Sequence, residues 1–463
     1  MVLGAATTNT AIGMLFVLPA ILPYGGPVLL VWGFLALTVV GLSAAMSLAE
    51  LSSAMPDAGG QYVWVAMLAP KGPHRPMSYA TALLSWAGAV CTGASTALGT
   101  TQLLFAMGTL INPNFVPTKW MGFLGLQGIN LFTLLVCCFQ NVIPKVAQGI
   151  ISLSACLIIA FIATLAARNR EWLSGRQVFV DNLIQETGWS NGIAFLIGSN
   201  SINWCYSTLD SIIHISEEIP NPRKNIPKAL LLAIAVGFAT GLPLILIYAF
   251  TLTDMETRYS VLSIMYEVFN QSKAAAIAFQ IPFTISAGAA MFGIQVWQSR
   301  LAWTIACNRG FPFAKHLSRV HGAPFHSPIW ALLWSAAFLA LLGCLYLASD
   351  RAFNSLISAS LVFQYTSYAV PISLLLWRGR SNFDHGPFWY PRLGLLANII
   401  FLAWYPITVI FFSFPYGLPA NSENMNYVAV VYGVTAIFFV ALWFGYAKKH
   451  FTHPELGSTG HHL

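Results

Sequence analysis

Twelve apolar segments, each long enough to cross a lipid bilayer, follow one another through this chain of 463 residues. A helix needs about 20 apolar residues to cross the hydrocarbon core. Charged residues make up only 8% of the chain, against about 25% in soluble domains, which excludes a water-soluble fold. We therefore predict an all-α integral membrane protein with twelve transmembrane helices. The predicted spans are Val2–Leu22, Pro27–Leu48, Met77–Leu110, Gly122–Gln140, Val146–Ala167, Gly192–Ile215, Ala229–Leu252, Ala274–Ala306, Pro328–Ala348, Phe353–Trp377, Leu393–Phe414 and Tyr427–Ala447.

Two of these spans carry clusters of small polar side chains that hydrocarbon does not tolerate. Span six contains SNSINWCYSTLDS, from Ser199 to Ser211, and span one contains TTNTAIG, from Thr7 to Gly13. A charged or unsatisfied polar group is costly in lipid, so such clusters persist where they face protein or a water-filled cavity. Serine and threonine also back-bond to the preceding helical turn, which explains the cluster in span one equally well. It explains span six poorly, because Asp210 is charged, and we predict that span six binds a polar ligand.

The two polar clusters occupy corresponding positions if spans one to five and six to ten are two structural repeats. Each repeat then opens with an interrupted helix, as in secondary transporters built from inverted repeats. An interrupted helix exposes N–H groups at one half-helix end and C=O groups at the other, and binds ions with few charged side chains. We expect one transmembrane domain, with repeats at residues 1–167 and 192–378, two additional helices at 393–447 and a cytoplasmic tail at 448–463.

The distribution of lysine and arginine predicts how the chain is oriented in the membrane. Of the 22 basic residues, 15 lie in one set of loops and the remaining seven in the opposite set. By the positive-inside rule, the first set of loops and both termini are cytoplasmic. The net charge of +7 is spread over short loops rather than gathered in one patch, which argues against nucleic acid as a partner. The 15 residues are Lys71, Arg75, Lys145, Arg223, Lys224, Lys228, Arg300, Arg309, Lys315, Arg319, Arg378, Arg380, Arg392, Lys448 and Lys449.

Other classes of membrane protein need features that this sequence lacks or shows weakly. A primary pump needs a phosphate-binding G-x-x-x-x-G-K-[ST] loop, and the sequence contains none. His316, His321 and His326 share a loop without the carboxylate partners of a metal or acid–base centre, so we predict no enzyme activity, metal site or cofactor. A sensor that binds a substrate without moving it stays an alternative. The first span starts without a preceding soluble tail, from which we expect a truncated or alternative gene model.

Several motifs together resemble the amino acid-polyamine-organocation superfamily, in its branch of fungal choline, GABA and amino acid permeases. The longest is NWCYSTLDSIIHISEEIPNPRKNIPKA, from Asn203 to Ala229. The matches cover nearly the whole chain. The others are TNTAIG at 8–13, GGPVLLVWG at 25–33, AELSSAMPDAGGQYVWVAMLAP at 49–70, FVDNLIQETGW at 179–189 and NRGFPFAKHLSRV at 308–320.

The resemblance implies a leucine-transporter fold, with ten helices in two inverted repeats and two further helices. It also implies a substrate held midway across the membrane between spans one, three, six, eight and ten, and proton-driven uptake at the plasma membrane. The substrate expected is an amine-bearing solute such as choline, GABA or another amino acid, with a polyamine or a specialised cationic metabolite as the alternative. The substrate-binding residues implied are Thr8, Asn9, Thr10, Gly13, Asn203, Trp204, Cys205, Tyr206, Ser207, Thr208 and Asp210.

Asp210 and His214 are the candidates for proton coupling. Asp210 is either a counter-ion for an ammonium group or a group that is protonated when the site is empty. A structural role is equally open, because a carboxylate at the start of a half-helix accepts backbone N–H bonds as a cap. His214 lies four residues later on the same helical face, where it either relays a proton from Asp210 toward the cytoplasm or forms an interfacial hydrogen bond.

Overall fold

Helices account for all the regular secondary structure in the computed structural model, which describes residues 9–181, 187–421 and 424–452. Within these residues, ten helices are long and apolar enough to cross a membrane. They correspond to predicted spans two to five and seven to twelve, which confirms the all-α membrane architecture. Their bounds are Gly26–Ala54, His74–Ile111, Lys119–Cys137, Gln140–Arg168, Pro222–Thr251, Lys273–Cys307, Ile329–Ala348, Ser355–Arg378, Pro391–Phe411 and Val428–His450.

Span six is an interrupted helix. An α-helix at Asn191–Trp204 is followed by a 3-10 helix at Leu209–Glu218. Residues 205–208 between them form turns, and Thr208 has a left-handed backbone conformation with φ 66°. The predicted break in span six is therefore confirmed, and it falls within the polar cluster.

Span one has a short helical part that begins immediately after Asn9. The α-helix covers Thr10–Ile21 and continues as a 3-10 turn at Leu22–Tyr24. Asn9 itself is not helical, with φ −2° and ψ 56°, and its carbonyl oxygen accepts a 3.0 Å hydrogen bond from the N–H of Gly13. Thr8 and the earlier residues of the predicted span lie outside the described residues.

Spans seven and eight differ from the sequence prediction in detail. Span seven begins at Pro222, earlier than the predicted start at Ala229, because proline suits the first helical turn, where its missing N–H is not needed. Span eight is divided at Ala289, which the sequence pattern did not predict. The division falls at a tight contact with span three, where a Cβ added to Gly288 would lie 2.7 Å from Thr100. Small residues allow such close approach of membrane helices.

Glycines in neighbouring helices pack against Thr10 of span one and Tyr206 of span six. A Cβ added to Gly41 of span two would lie 3.1 Å from the ring of Tyr206. A Cβ added to Gly237 of span seven would lie 2.7 Å from Thr10 Oγ1. Span twelve, in contrast, lies at the periphery, because only 6% of its most apolar 18-residue stretch is buried. Span six and the described part of span one therefore lie inside the bundle, where polar groups can be satisfied by protein.

A short helix at Gln61–Leu68 follows span two and is almost entirely buried. The turn before it contains Gly60 with φ 55°, a conformation that favours glycine. A Cβ added there would lie 3.0 Å from Ile213 and 3.1 Å from His214, so the turn packs directly against span six. This contact brings a segment far away in sequence to the predicted site.

Candidate functional site

A small cavity lies beside the break in span six, between spans one, three, six and eight, and we call it the central cavity. Its volume is about 50 Å³. Predicted binding residues form nearly half of its lining, and these are Asn9, Gly13, Trp204, Cys205, Ser207 and Thr208. The remaining lining residues are Ile12, Phe16, Thr92, Thr96, Ser286, Ala287, Ala290 and Ile294.

Some predicted binding residues lie behind this lining rather than on it. Asn203 Oδ1 accepts a 2.5 Å hydrogen bond from the hydroxyl of Tyr365, and the hydroxyl of Tyr206 lies 2.6 Å from Thr38 Oγ1. These bonds tie the interrupted part of span six to spans ten and two. The predicted residues that do not line the central cavity are Thr10, Asn203, Tyr206 and Asp210.

Spans three and eight contribute lining residues that the sequence reasoning missed. Thr92 and Thr96 of span three lie one helical turn apart, and their hydroxyls donate to backbone carbonyl groups of the same helix. The spacing of polar residues in CTGASTALGTT, from Cys91 to Thr101, was an available signal, because residues four apart share a helix face. In span eight only Ser286 of the lining residues is polar, and its apolar neighbours give no such signal.

Phe16, which is stacked on Trp204, lies between the central cavity and a larger one. Phe16 and Trp204 both line the central cavity, with ring centroids 5.7 Å apart and planes inclined by 15°. Phe16 also lines a cavity of about 420 Å³ that reaches Tyr259 in the connection between spans seven and eight, which we call the upper cavity. Gly99 of span three leaves room for this arrangement, because a Cβ added there would overlap the ring of Phe16.

A third cavity, of about 380 Å³, lies toward the other face, and we call it the lower cavity. His214, Glu218, Arg300 and His321 are among its lining residues. Arg300 Nη2 donates to Glu218 Oε1 at 2.5 Å, which joins the end of span six to span eight. The Arg300 side chain is 9% exposed and that of Glu218 is 38% exposed, so water reaches one end of this ion pair.

Asp210 and His214 form a fully buried pair in the part of span six that leads to the lower cavity. Asp210 Oδ2 accepts a hydrogen bond from Gln61 Nε2 at 2.8 Å and lies 3.3 Å from His214 Nε2. His214 Nδ1 lies 2.7 Å from the carbonyl oxygen of Ala58. A carbonyl oxygen only accepts, so Nδ1 carries a hydrogen, and the contact between Nε2 and Oδ2 is a hydrogen bond only when one further proton is present.

The geometry of Asp210 differs from that of a helix cap. The hydrogen bonds of its carboxylate go to side chains, and Oδ1 has no hydrogen-bond partner among the described residues. His214 lies on the same helical face, as predicted, and it connects Asp210 to the wall of the lower cavity. The arrangement can therefore hold one proton between two buried groups, close to a cavity from which that proton can enter or leave.

Comparison with known proteins places the chain among transporters. The amino acid permease family model matches residues 2–436. The transmembrane transporter swnT of Metarhizium robertsii is 45% identical, over 98% of this chain and 91% of its own length. The swainsonine transporter swnT of Arthroderma benhamiae is 46% identical with the same coverage. The choline transporter of Saccharomyces cerevisiae is 32% identical, over 97% of this chain and 80% of its own length.

A solved structure, that of MhsT in complex with L-phenylalanine, has a similar fold. Its TM-score is 0.57 at 14% sequence identity, and the match covers 89% of this chain and 97% of MhsT. The similarity confirms the predicted leucine-transporter fold. Because the relatives are named as transporters and permeases rather than enzymes, this chain is a multi-pass membrane transporter of small solutes. It belongs to the amino acid permease family, within the amino acid-polyamine-organocation superfamily.

Proposed function

We propose that this permease moves an amine-bearing small solute through the central cavity by alternating access, driven by protons. The observation that carries the proposal is the position of this cavity at the break of span six, with a larger cavity toward each face. The names of its relatives support an amine, since choline is a quaternary ammonium alcohol and swainsonine a hydroxylated cyclic amine. The cavity lining carries no charged side chain, so aromatic faces and helix-end carbonyl groups hold the cation.

Two contacts act as the gates in this proposal. On the upper side, the stacked rings of Phe16 and Trp204 lie between the central and upper cavities. On the lower side, the ion pair of Glu218 and Arg300 joins span six to span eight beside the lower cavity. Alternating access requires that one contact opens while the other stays closed.

The coupling proton binds between Asp210 and His214. Asp210 lies behind the lining of the central cavity, which favours a protonated group over a direct counter-ion for the substrate. When the proton leaves, His214 Nε2 and Asp210 Oδ2 become two acceptors facing each other, and their attraction is lost. The bonds from Gln61 to Asp210 and from His214 Nδ1 to Ala58 persist, but the two facing acceptors repel each other, and in this proposal that repulsion loosens the lower side of the bundle.

We further propose that the protein lies in the plasma membrane with both termini in the cytoplasm. The excess of basic residues in one set of loops supports this orientation. The lower cavity then faces the cytoplasm and the upper cavity the outside. In the same proposal, residues 1–167 and 192–378 are the two inverted repeats, with additional helices at 393–447 and a cytoplasmic tail at 448–463.

Uptake measurements in yeast that lacks its own choline transporter test the proposal. Cells expressing the chain are given radiolabelled choline or swainsonine at acidic and at neutral external pH, with and without a protonophore. We expect saturable uptake of at least one of them that is faster at acidic pH and is lost with the protonophore. Uptake that ignores both pH and the protonophore would exclude proton coupling.

A pair of glycine variants tests the route. Gly13 lines the central cavity, and a Cβ added there would already lie 3.4 Å from Cys205 Sγ, so Gly13→Leu fills the cavity with side-chain atoms. Gly433 in span twelve has no heavy atom within 4 Å of an added Cβ, so Gly433→Leu is the matched control. We expect the first substitution to abolish uptake and the second to preserve it. Equal uptake by both variants would place the route elsewhere.

A further inference from the structure

Two threonines of the third span have hydroxyl groups that line the central cavity. The hydrogens of these hydroxyl groups point away from the cavity. Thr92 Oγ1 donates to the carbonyl oxygen of Gly88 at 2.9 Å, and Thr96 Oγ1 donates to the carbonyl oxygen of Thr92 at 2.8 Å. Thr92 Oγ1 also accepts a hydrogen bond from Gln364 Nε2 at 2.8 Å. A hydroxyl has one hydrogen and two lone pairs, so each of these groups keeps only a lone pair for a ligand.

Ser286 of span eight and Cys205 of span six follow the same rule. Ser154 Oγ donates to the carbonyl oxygen of Ile150 at 2.8 Å, so its 2.7 Å contact with Ser286 Oγ uses the hydrogen of Ser286. Cys205 Sγ donates to the carbonyl oxygen of Ser201 at 3.6 Å. The hydroxyl groups of Thr92, Thr96 and Ser286 therefore offer hydrogen-bond acceptors to the cavity. The Cys205 thiol donates its hydrogen to a carbonyl group of its own helix.

One lining group is a donor without a partner. Trp204 Nε1 is buried and makes no hydrogen bond to any described residue. Among the described residues, the cavity lining contains no aspartate, glutamate, lysine or arginine. A ligand that satisfies Thr92, Thr96, Ser286 and Trp204 therefore brings several N–H or O–H donors and at least one oxygen that accepts.

We infer that the substrate is a protonated amine carrying hydroxyl groups, and that Thr92, Thr96 and Ser286 accept its hydrogen bonds. The inference rests on the proposed function and narrows it. The ammonium N–H and the hydroxyl groups supply the donors, and a hydroxyl oxygen accepts from Trp204 Nε1. A quaternary ammonium has no N–H, and an amino acid carboxylate would add acceptors next to the acceptors of Thr92, Thr96 and Ser286. Sites built from buried polar groups discriminate strongly against ligands that leave those groups unpaired.

Ligands that differ only in their donors test this inference. The full chain, purified and reconstituted in proteoliposomes with an imposed pH gradient, is given swainsonine, indolizidine, choline and GABA. Indolizidine has the ring system of swainsonine without its hydroxyl groups. We expect the half-saturation concentration for swainsonine to be at least about tenfold lower than for indolizidine, because several hydrogen bonds distinguish them. Choline and GABA should also require higher concentrations than swainsonine.

A matched pair of threonine variants assigns the effect to the cavity wall. Thr96→Val removes an acceptor that faces the cavity. Thr100→Val removes the equivalent hydroxyl one turn further along span three, where Thr100 Oγ1 donates to the carbonyl oxygen of Thr96 at 2.8 Å but does not line the cavity. We expect Thr96→Val to raise the half-saturation concentration for swainsonine about tenfold and that for indolizidine little. Thr100→Val should change neither.

The outcomes separate this inference from the proposed function. If indolizidine or choline is taken up as well as swainsonine, or if Thr96→Val affects swainsonine and indolizidine equally, the inference is overturned while proton-driven transport stands. Preferred uptake of GABA likewise overturns it, and assigns the backbone N–H groups at the start of span one to a carboxylate. If the wild-type protein takes up none of the ligands, the proposed function fails together with the inference.

Discussion

Two carboxylates, Glu50 and Asp210, are both fully buried in this protein, but their surroundings differ. Both oxygens of Glu50 are bonded, since Arg380 donates to Oε2 at 2.9 Å and to Oε1 at 3.1 Å, and the backbone N–H of Tyr390 donates to Oε1 at 3.0 Å. Arg380 in turn lies over the ring of Trp389, with its guanidinium carbon 4.3 Å from the ring centroid. Glu50 thus ties the end of span two to the connection between spans ten and eleven.

Asp210 has no arginine or lysine partner among the described residues. Gln61 and His214 both approach Oδ2, Oδ1 has no partner at hydrogen-bonding distance within the described chain, and the hydroxyl of Tyr368 lies near the carboxylate. Burying a carboxylate is costly in both places, but only at Glu50 do fixed charges and hydrogen bonds offset that cost completely. Burial alone therefore does not identify a functional carboxylate here. Incomplete pairing is the observation that supports the role in proton coupling proposed for Asp210.

The largest effect is expected from Glu50→Gln, which leaves the guanidinium of Arg380 without its counter-charge. The side chain of Arg380 is only 11% exposed, so water replaces the lost carboxylate poorly. Breaking a buried ion pair by removing one partner typically costs about 3–5 kcal/mol. We expect a loss of that size in the free energy of unfolding, measured by thermal unfolding of the purified protein in detergent.

The double variant Glu50→Leu with Arg380→Met is the control for this prediction. It removes both charges, and replacing a whole buried pair with apolar side chains is often neutral. Most of the lost stability should therefore return. A Glu50→Gln protein that is as stable as the wild type but has an altered pH dependence of uptake would contradict this contrast. Glu50 would then act in proton coupling, as proposed for Asp210, rather than in stability.

A smaller loss of stability is expected from Gly394→Ala in span eleven. A Cβ added to Gly394 would overlap the carboxylate of Glu50, so the added methyl group must displace Glu50 from Arg380 or push span eleven away. Overpacking of this kind costs about 1–3 kcal/mol. The matched control is Gly433→Ala in span twelve, where an added Cβ meets no heavy atom within 4 Å. Equal thermal stability of the two variants would contradict the packing that we describe around Glu50.

Asp210→Asn should change transport more than stability. Gln61 and His214 both contact Oδ2, so asparagine keeps only one of these two bonds: its amide oxygen still accepts from Gln61, while the titratable proton between residue 210 and His214 is lost. We expect uptake to fall about tenfold, which corresponds to about 1.4 kcal/mol, and the dependence on external pH to disappear. Thermal stability should stay close to that of the wild type. Uptake with an unchanged rate and pH profile would show that Asp210 does not carry the coupling proton.

The break in span six could be predicted from sequence because its cause is local. The many polar side chains between Ser199 and Asp210 cannot all face lipid, whatever surrounds them. The role of Asp210 depends on distant partners, and these could not be predicted. Gln61 and Ala58 reach it from the segment after span two, and only the folded chain shows that they do.

The lining of the central cavity was predictable where it belongs to the interrupted spans and not elsewhere. Thr92 and Thr96 are polar and regularly spaced, but bonds to their own helix explain such residues equally well without a ligand. Ala287, Ala290 and Ile294 resemble any lipid-facing or core residue, so their contact with the cavity depends on how span eight packs. In this chain, sequence therefore predicts the helices that must break and leaves open the helices that complete the site.

The smallest effect on stability is expected from Glu218→Gln. Glu218 is a third kind of carboxylate, one that is paired with an arginine but partly exposed to water. Glu218 pairs with Arg300 at 2.5 Å, as Glu50 pairs with Arg380, but its side chain is 38% exposed to water. Exposed ion pairs contribute about 0–1 kcal/mol, and salt screens them much more than buried pairs. Thermal unfolding at low and high salt therefore distinguishes the two sites. High salt should remove the small difference between Glu218→Gln and the wild type, whereas the larger loss in Glu50→Gln should persist. A loss in Glu218→Gln that matches Glu50→Gln and resists salt would mean that the lower cavity is closed to water around Arg300.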